Sequence, residues 1–144
     1  MDLAGLNNHQ VHDVARFYAA AAAASRGHRV KLVGARTRLS VDDRIVQVLS
    51  RRLAGSPWQT KASQPTVDDA LAVIFVDLTG DFPDYFIAPA SWLQEDVRSH
   101  HGAWLAEHGG ERPRTPESDH TAISFDRIRG WHQRWDVLID ASLG

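Results

Sequence analysis

Hydrophobic positions along the chain change period several times, and each change marks a predicted element. Asn7 and Asn8 offer side-chain oxygens for a helix cap. Beyond them Val11, Val14, Ala15, Tyr18, Ala21 and Ala22 recur at helical spacing, and residues 19–24 are all alanine, the strongest helix former. Gly27 ends the helix where glycine usually does. His9, His12, Asp13 and Arg16 occupy its polar face. The period then shortens. Residues 29–33 read as a short strand interrupted by Gly34, which residues 36–39 continue. Residues 44–50, rich in Ile and Val, read as a longer strand, with Val41-Asp42-Asp43 leading into it. Gly55, Ser56 and Pro57 supply turn chemistry, so residues 58–62 are expected to return as the second strand of a hairpin. Residues 63–69 form a polar connection. Residues 71–78 are almost wholly apolar, the mark of a central strand buried on both faces. Residues 80–83 make a turn and 85–88 another short strand.

The last third reads as helix, loop, strand, helix. Pro89-Ala90-Ser91 looks like a helix start with Ser91 as cap, and Trp92, Leu93, Val97, Trp104 and Leu105 carry the helix to about residue 107. Residues 109–118, rich in Gly, Pro and charge, read as a loop. Residues 120–123 form a short strand. Ser124 then caps a final helix in which Ile128, Trp131, Trp135 and Leu138 make one apolar stripe. No internal repeat is present. The expectation is an α/β (α+β) protein with a central mixed β-sheet of four to five strands, an N-terminal helix and two C-terminal helices. A length of 144 residues suits a single domain spanning 1–144.

Composition narrows the class. The chain contains no cysteine, which excludes disulfides and thiolate metal sites and fits a reducing cytoplasm. No apolar run approaches the ~20 residues that span a bilayer, so no membrane partner is expected. The formal net charge of −2 conceals a strong asymmetry. Residues 26–61 carry nine Lys/Arg against two acids, and the rest carry seven against sixteen. A basic segment of this kind points to a polyanion, and DNA is the expected partner. Arg36, Arg38, Arg44, Arg51 and Arg52 are the expected nucleic-acid contacts. Arg51-Arg52 also has a structural alternative, as charge guarding a sheet edge. The acidic remainder permits a homodimer in which unlike faces meet.

Asp13, Asp43, Gln59 and Lys61 are the candidate catalytic residues. Side chains alternate along a strand, so Gln59 and Lys61 share one face while Trp58 and Thr60 take the other. Cleaving a phosphodiester needs a divalent cation, oxygen ligands to hold it and a positive group to stabilise the developing charge. Asp43 and Gln59 are the expected metal ligands, for Mg²⁺. Lys61 supplies the charge and Asp13 a second carboxylate.

The order of helix acid, Asp before a strand, turn, then Gln-x-Lys resembles the PD-(D/E)XK nuclease-like superfamily, and within it the small bacterial Holliday-junction-resolvase-like and Mrr-like members with Gln before x-Lys. The resemblance runs from Asn8 to about Leu78. The stretches Ala72-Val73-Ile74-Phe75-Val76-Asp77-Leu78 and Pro83-Asp84-Tyr85-Phe86-Ile87-Ala88-Pro89 are similar too. It implies a restriction-endonuclease-like fold and a cytoplasmic, metal-dependent DNA endonuclease, with Asp43 as the metal-binding Asp and Gln59 and Lys61 as the paired motif. The alternative is a catalytically inactive nuclease-fold domain that binds nucleic acid or a protein partner.

Each signal also has a plainer reading. Gln-x-Lys on a strand is commonly a solvated face, Asp42-Asp43 a turn, and Asp13 a solvated helix residue. The eight histidines lack the tight paired spacing of a structural zinc site. Trp92, Trp104, Trp131 and Trp135 suit helix packing better than base stacking, and Trp58, facing away from Lys61, suits the core.

Overall fold

A computed structural model of the chain describes residues 1–35, 37–107, 109 and 119–141. Helix α1 spans Asn8–Ser25. It begins with a capping box: the Asn7 side chain accepts from the Gln10 backbone, and the Gln10 side chain accepts from the Asn7 backbone. Strands β1 (Val30–Leu32), β2 (Arg38–Val41) and β3 (Arg44–Arg51) follow as an antiparallel meander. After β4 (Trp58–Lys61) comes β5 (Ala70–Asp77), which runs parallel to β3. Strand β6 (Asp84–Pro89) returns antiparallel to β5 and leads directly into α2 (Ala90–Glu107). Strand β7 (His120–Ile123), the short helix α3 (Phe125–Ile128) and two single turns of 3₁₀ helix, Arg129–Trp131 and Trp135–Leu138, complete the fold.

Five strands form a mixed sheet in the order β1-β2-β3-β5-β6, and β4 pairs with β7 in a separate two-stranded ribbon. The mixed α and β composition expected from the sequence is present. Alternation along the strands divides the core in two. Val46 and Val48 of β3, Ala72, Ile74 and Val76 of β5, and Tyr85 and Ile87 of β6 face α1, whose Val11, Ala15, Ala19 and Ala23 form the matching row at i, i+4 spacing. Leu49, Val73, Phe75, Phe86 and Ala88 face the other way, toward Trp58 of β4, Leu93 and Val97 of α2, and Ile123 and Ile128. Strand β5 is buried on both faces, as its apolar run requires.

Two expectations are corrected. Residues 58–62 were expected to form a hairpin with the strand at 44–50. Instead β5 takes the place beside β3, and β4 leaves the sheet to pair with β7. The cause is Trp58, fully buried against the second face, with its Nε1 donating to Val76 O at 3.1 Å. Satisfying the indole there holds β4 across the sheet rather than at its edge. The final helix is broken as well. Gln133 has φ 54°, and its backbone N–H donates to Tyr85 O on β6 at 3.0 Å, so the chain docks on the sheet edge between the two 3₁₀ turns. The loop expected at 109–118 lies outside the described residues except for Gly109, a turn residue.

Candidate functional site

Strand β4 presents its side chains in the expected alternation: Trp58 and Thr60 are buried, Gln59 and Lys61 exposed. Gln59 lies opposite Ala122 and Lys61 opposite His120 on β7, so the pair points outward from the ribbon on the second face of the sheet. Asp13 belongs to α1, which covers the first face. The sheet therefore stands between Asp13 and the Gln59–Lys61 pair.

Asp43 lies on a third element. It shares the two-residue turn between β2 and β3 with Asp42, at φ 65° and 50°. Two positive φ values there make the tight turn whose twist matches a hairpin, and Asp tolerates that conformation better than most residues. The Asp42 carboxylate accepts from the Arg29 backbone at 2.9 Å and lies 2.7 Å from His28 Nδ1, which ties the turn to the segment before β1. The His28 hydrogen bond, helped by the Arg29 backbone, holds the Asp42 carboxyl below the usual range. Asp43 meets the Arg29 guanidinium at 3.2 Å. Strand β4 crosses the sheet near Gln47, because Thr60 Oγ1 and Gln47 Nε2 both donate to Pro65 O. Gln47 is four residues beyond Asp43, about 13 Å along an extended strand.

Asp43 thus engages Arg29 at the β2–β3 turn, Gln59 and Lys61 stand on the β4–β7 ribbon, and Asp13 is on the helix of the opposite face. Among the described residues no three His, Asp or Glu side chains come together as a cation site. Asp13 and the Gln59–Lys61 pair, on opposite faces, do not form together the single Mg²⁺ site that the resemblance implies, and no step through it follows.

The expected DNA contacts divide into two groups. Arg51 is nine-tenths buried, donating to Asp77 Oδ2 at 2.7 Å and to Ser56 O at 3.0 Å. Arg52 donates to the carbonyls of Leu3 and Leu6 and to the Asn8 amide, anchoring the chain ahead of α1. Both arginines are thus tied into the fold, Arg51 by a buried ion pair and Arg52, half-buried, by neutral oxygens. Arg38 and Arg44 are exposed, and Arg36 lies outside the described residues. Arg44 pairs with Val41 on the α1 side of the sheet, whereas Arg38 pairs with Gln47 on the other. Lys31, opposite Ser40, shares the Arg38 face. The two stand diagonally across the β1–β2 pair, about 7–8 Å apart.

A cleft of about 220 Å³ escaped the sequence reading. It opens at the C-terminal end of β3, between that strand, α1 and the turn after Arg52, with His12, Ser50, Arg52, Asn8 and Ser56 in its walls. Ser50 Oγ lies 2.9 Å from His12 Nδ1. These two residues are 38 apart in sequence, and only the packing of α1 on β3 joins them.

No helix among the described residues is long and apolar enough to cross a membrane. No family model, curated protein or solved structure matches this chain.

Proposed function

We propose that this chain is a restriction-endonuclease-like domain that binds DNA without cleaving it. The observation that carries this reading is the position of the sheet between Asp13 and the Gln59–Lys61 pair. Metal-assisted hydrolysis requires the ligands and the positive group to meet at one phosphate, and these residues are divided between both faces of the sheet and the β2–β3 turn. The fold class, with a helix ahead of an antiparallel meander and β5 parallel to β3, supports the nuclease-like part of the reading.

Support for DNA comes from the basic segment. Arg29, Arg51 and Arg52 are engaged internally, but Lys31 and Arg38 are exposed together on one face at the free edge of the sheet. Cations so placed suit backbone phosphates, which position a duplex without reading its sequence.

The test pairs binding with cleavage. Fluorescence anisotropy with duplex and branched DNA, in chelator, is expected to show binding that weakens steeply as salt rises. The same substrates incubated with Mg²⁺ or Mn²⁺ are expected to stay intact. Cleavage that depends on the metal and disappears in Lys61→Ala would overturn the reading in favour of an active nuclease. Absence of binding at low salt would remove DNA as the partner.

A further inference from the structure

The cleft beside α1 is set apart by its charge. The chain holds 18 acids and 16 Lys/Arg, yet no acid among the described residues lines this cleft. Arg51 reaches it but is paired with Asp77. Arg52 is different: its bonds go to the neutral oxygens of Leu3, Leu6 and Asn8, and no carboxylate among the described residues neutralises its charge there. A guanidinium held by neutral acceptors keeps its field in the cleft for an anion. Beside it, when His12 Nδ1–H donates to Ser50 Oγ, the serine hydroxyl is free to donate its own proton outward. Asn8 and His12 stand in the first turns of an 18-residue helix, so the positive end of its dipole adds to the same field.

We propose that this cleft binds a phosphate group, with Arg52 supplying charge and Ser50, oriented by His12, supplying a hydrogen bond. Val11, Leu53 and Pro57 give the cleft an apolar side that accommodates the remainder of a phosphate ester. The site is on the α1 side of the sheet and shares no residue with the Lys31–Arg38 face, so it stands independently of DNA binding by that face. The same phosphate chemistry is offered by a free phosphate monoester and by the terminal phosphate of a nucleic-acid strand.

Thermal unfolding of the full chain in inorganic phosphate, against chloride at matched ionic strength, tests the proposal. Phosphate is expected to raise Tm in a saturating manner at millimolar concentrations. Ser50→Ala, which removes one hydrogen bond to a charged group, is expected to weaken the apparent affinity roughly tenfold. Ser50→Glu, which places a negative charge in the cleft, is expected to abolish the shift. Identical unfolding in phosphate and chloride overturns the proposal, and so does a phosphate shift that Ser50→Ala leaves unchanged. The second criterion holds even if Ser50→Glu does not fold. Oligonucleotides with and without a 5′-phosphate then separate the sources. Tighter binding of the phosphorylated strand, lost in Ser50→Ala, assigns a strand terminus. Equal binding of the two, with the inorganic phosphate shift intact, assigns a small phosphate monoester.

Discussion

Arg51 engages four groups at once. It donates to Ser56 O and Asp77 Oδ2, its guanidinium lies 4.3 Å from the centre of the Trp58 ring, and Phe125 covers it at 5.4 Å. Its Nε is buried with no hydrogen-bond partner among the described residues, so Asp77 carries most of the compensation for its charge. Burial pushes the Asp77 carboxyl up, but bonds from Arg51 and Thr79 outweigh it and hold the pKa below its ordinary 3.8. A carboxyl lowered in the folded state binds fewer protons there than when unfolded. Its contribution is therefore complete above the ordinary value and is lost as pH falls through the folded value. Asp77→Ala is expected to cost about 3–5 kcal/mol, because it leaves a buried cation uncompensated. Replacing both partners by apolar residues, Arg51→Met with Asp77→Leu, should recover most of that loss. Urea unfolding at neutral pH measures both, and a loss below 1 kcal/mol in Asp77→Ala would deny the pair its role. Between pH 5 and pH 2, wild-type stability should fall more than that of the double variant.

The turn between β2 and β3 supplies the prediction at the scale of elements. Asp43 holds a left-handed conformation at φ 65°, which costs a non-glycine residue energy that glycine escapes. Its ion pair with Arg29 joins side chains 69% and 75% exposed, where solvent leaves little net stabilisation. Asp43→Gly is therefore expected to stabilise the fold by about 0.5–1 kcal/mol, raising Tm by a few degrees. A principal metal ligand would respond differently, since its loss would abolish metal-dependent activity whatever happened to Tm. The same contrast explains what the sequence revealed. Helical spacing at Val11, Ala15 and Ala19 and the apolar run of β5 were legible, because burial on one or both faces writes itself into the local pattern. The outward face of Gln59 and Lys61 was legible for the same reason. The pairing of β4 was not, because its partner β7 lies some 60 residues on and nothing local to β4 encodes it. The break at Gln133 was also hidden. Trp131, Trp135 and Leu138 keep helical spacing even though the chain between them is held by Tyr85 O and by a bond from Gln133 Nε2 to Asp84. A site assembled from β4, a turn and α1 could be judged only after the sheet's two faces were assigned.

Across the whole molecule, the excess of acids over bases opposes approach to DNA, so binding must come from local cations at short range. Part of the basic segment is already paired with acids: buried Arg51 with Asp77, and exposed Arg29 with Asp43. Lys31 and Arg38 remain on one face and Arg44 on the other. Each phosphate that a cation neutralises releases counterions and adds roughly 0.9 to the slope of log K against log salt. Removing Lys31 and Arg38 together is therefore expected to reduce that slope by about 2 and to weaken binding uniformly across sequences. Arg44→Ala, on the α1 side, should leave the slope unchanged if the duplex rests on the edge pair alone. Anisotropy titrations at several salt concentrations between low and physiological ionic strength decide the matter, because they read contact number rather than affinity alone. An unchanged slope in the double variant would remove the β1–β2 face as the contact surface. A reduced slope in Arg44→Ala would instead show that the duplex lies along the end of the hairpin, where Arg44 and the Asp42-Asp43 turn meet, and not across its face.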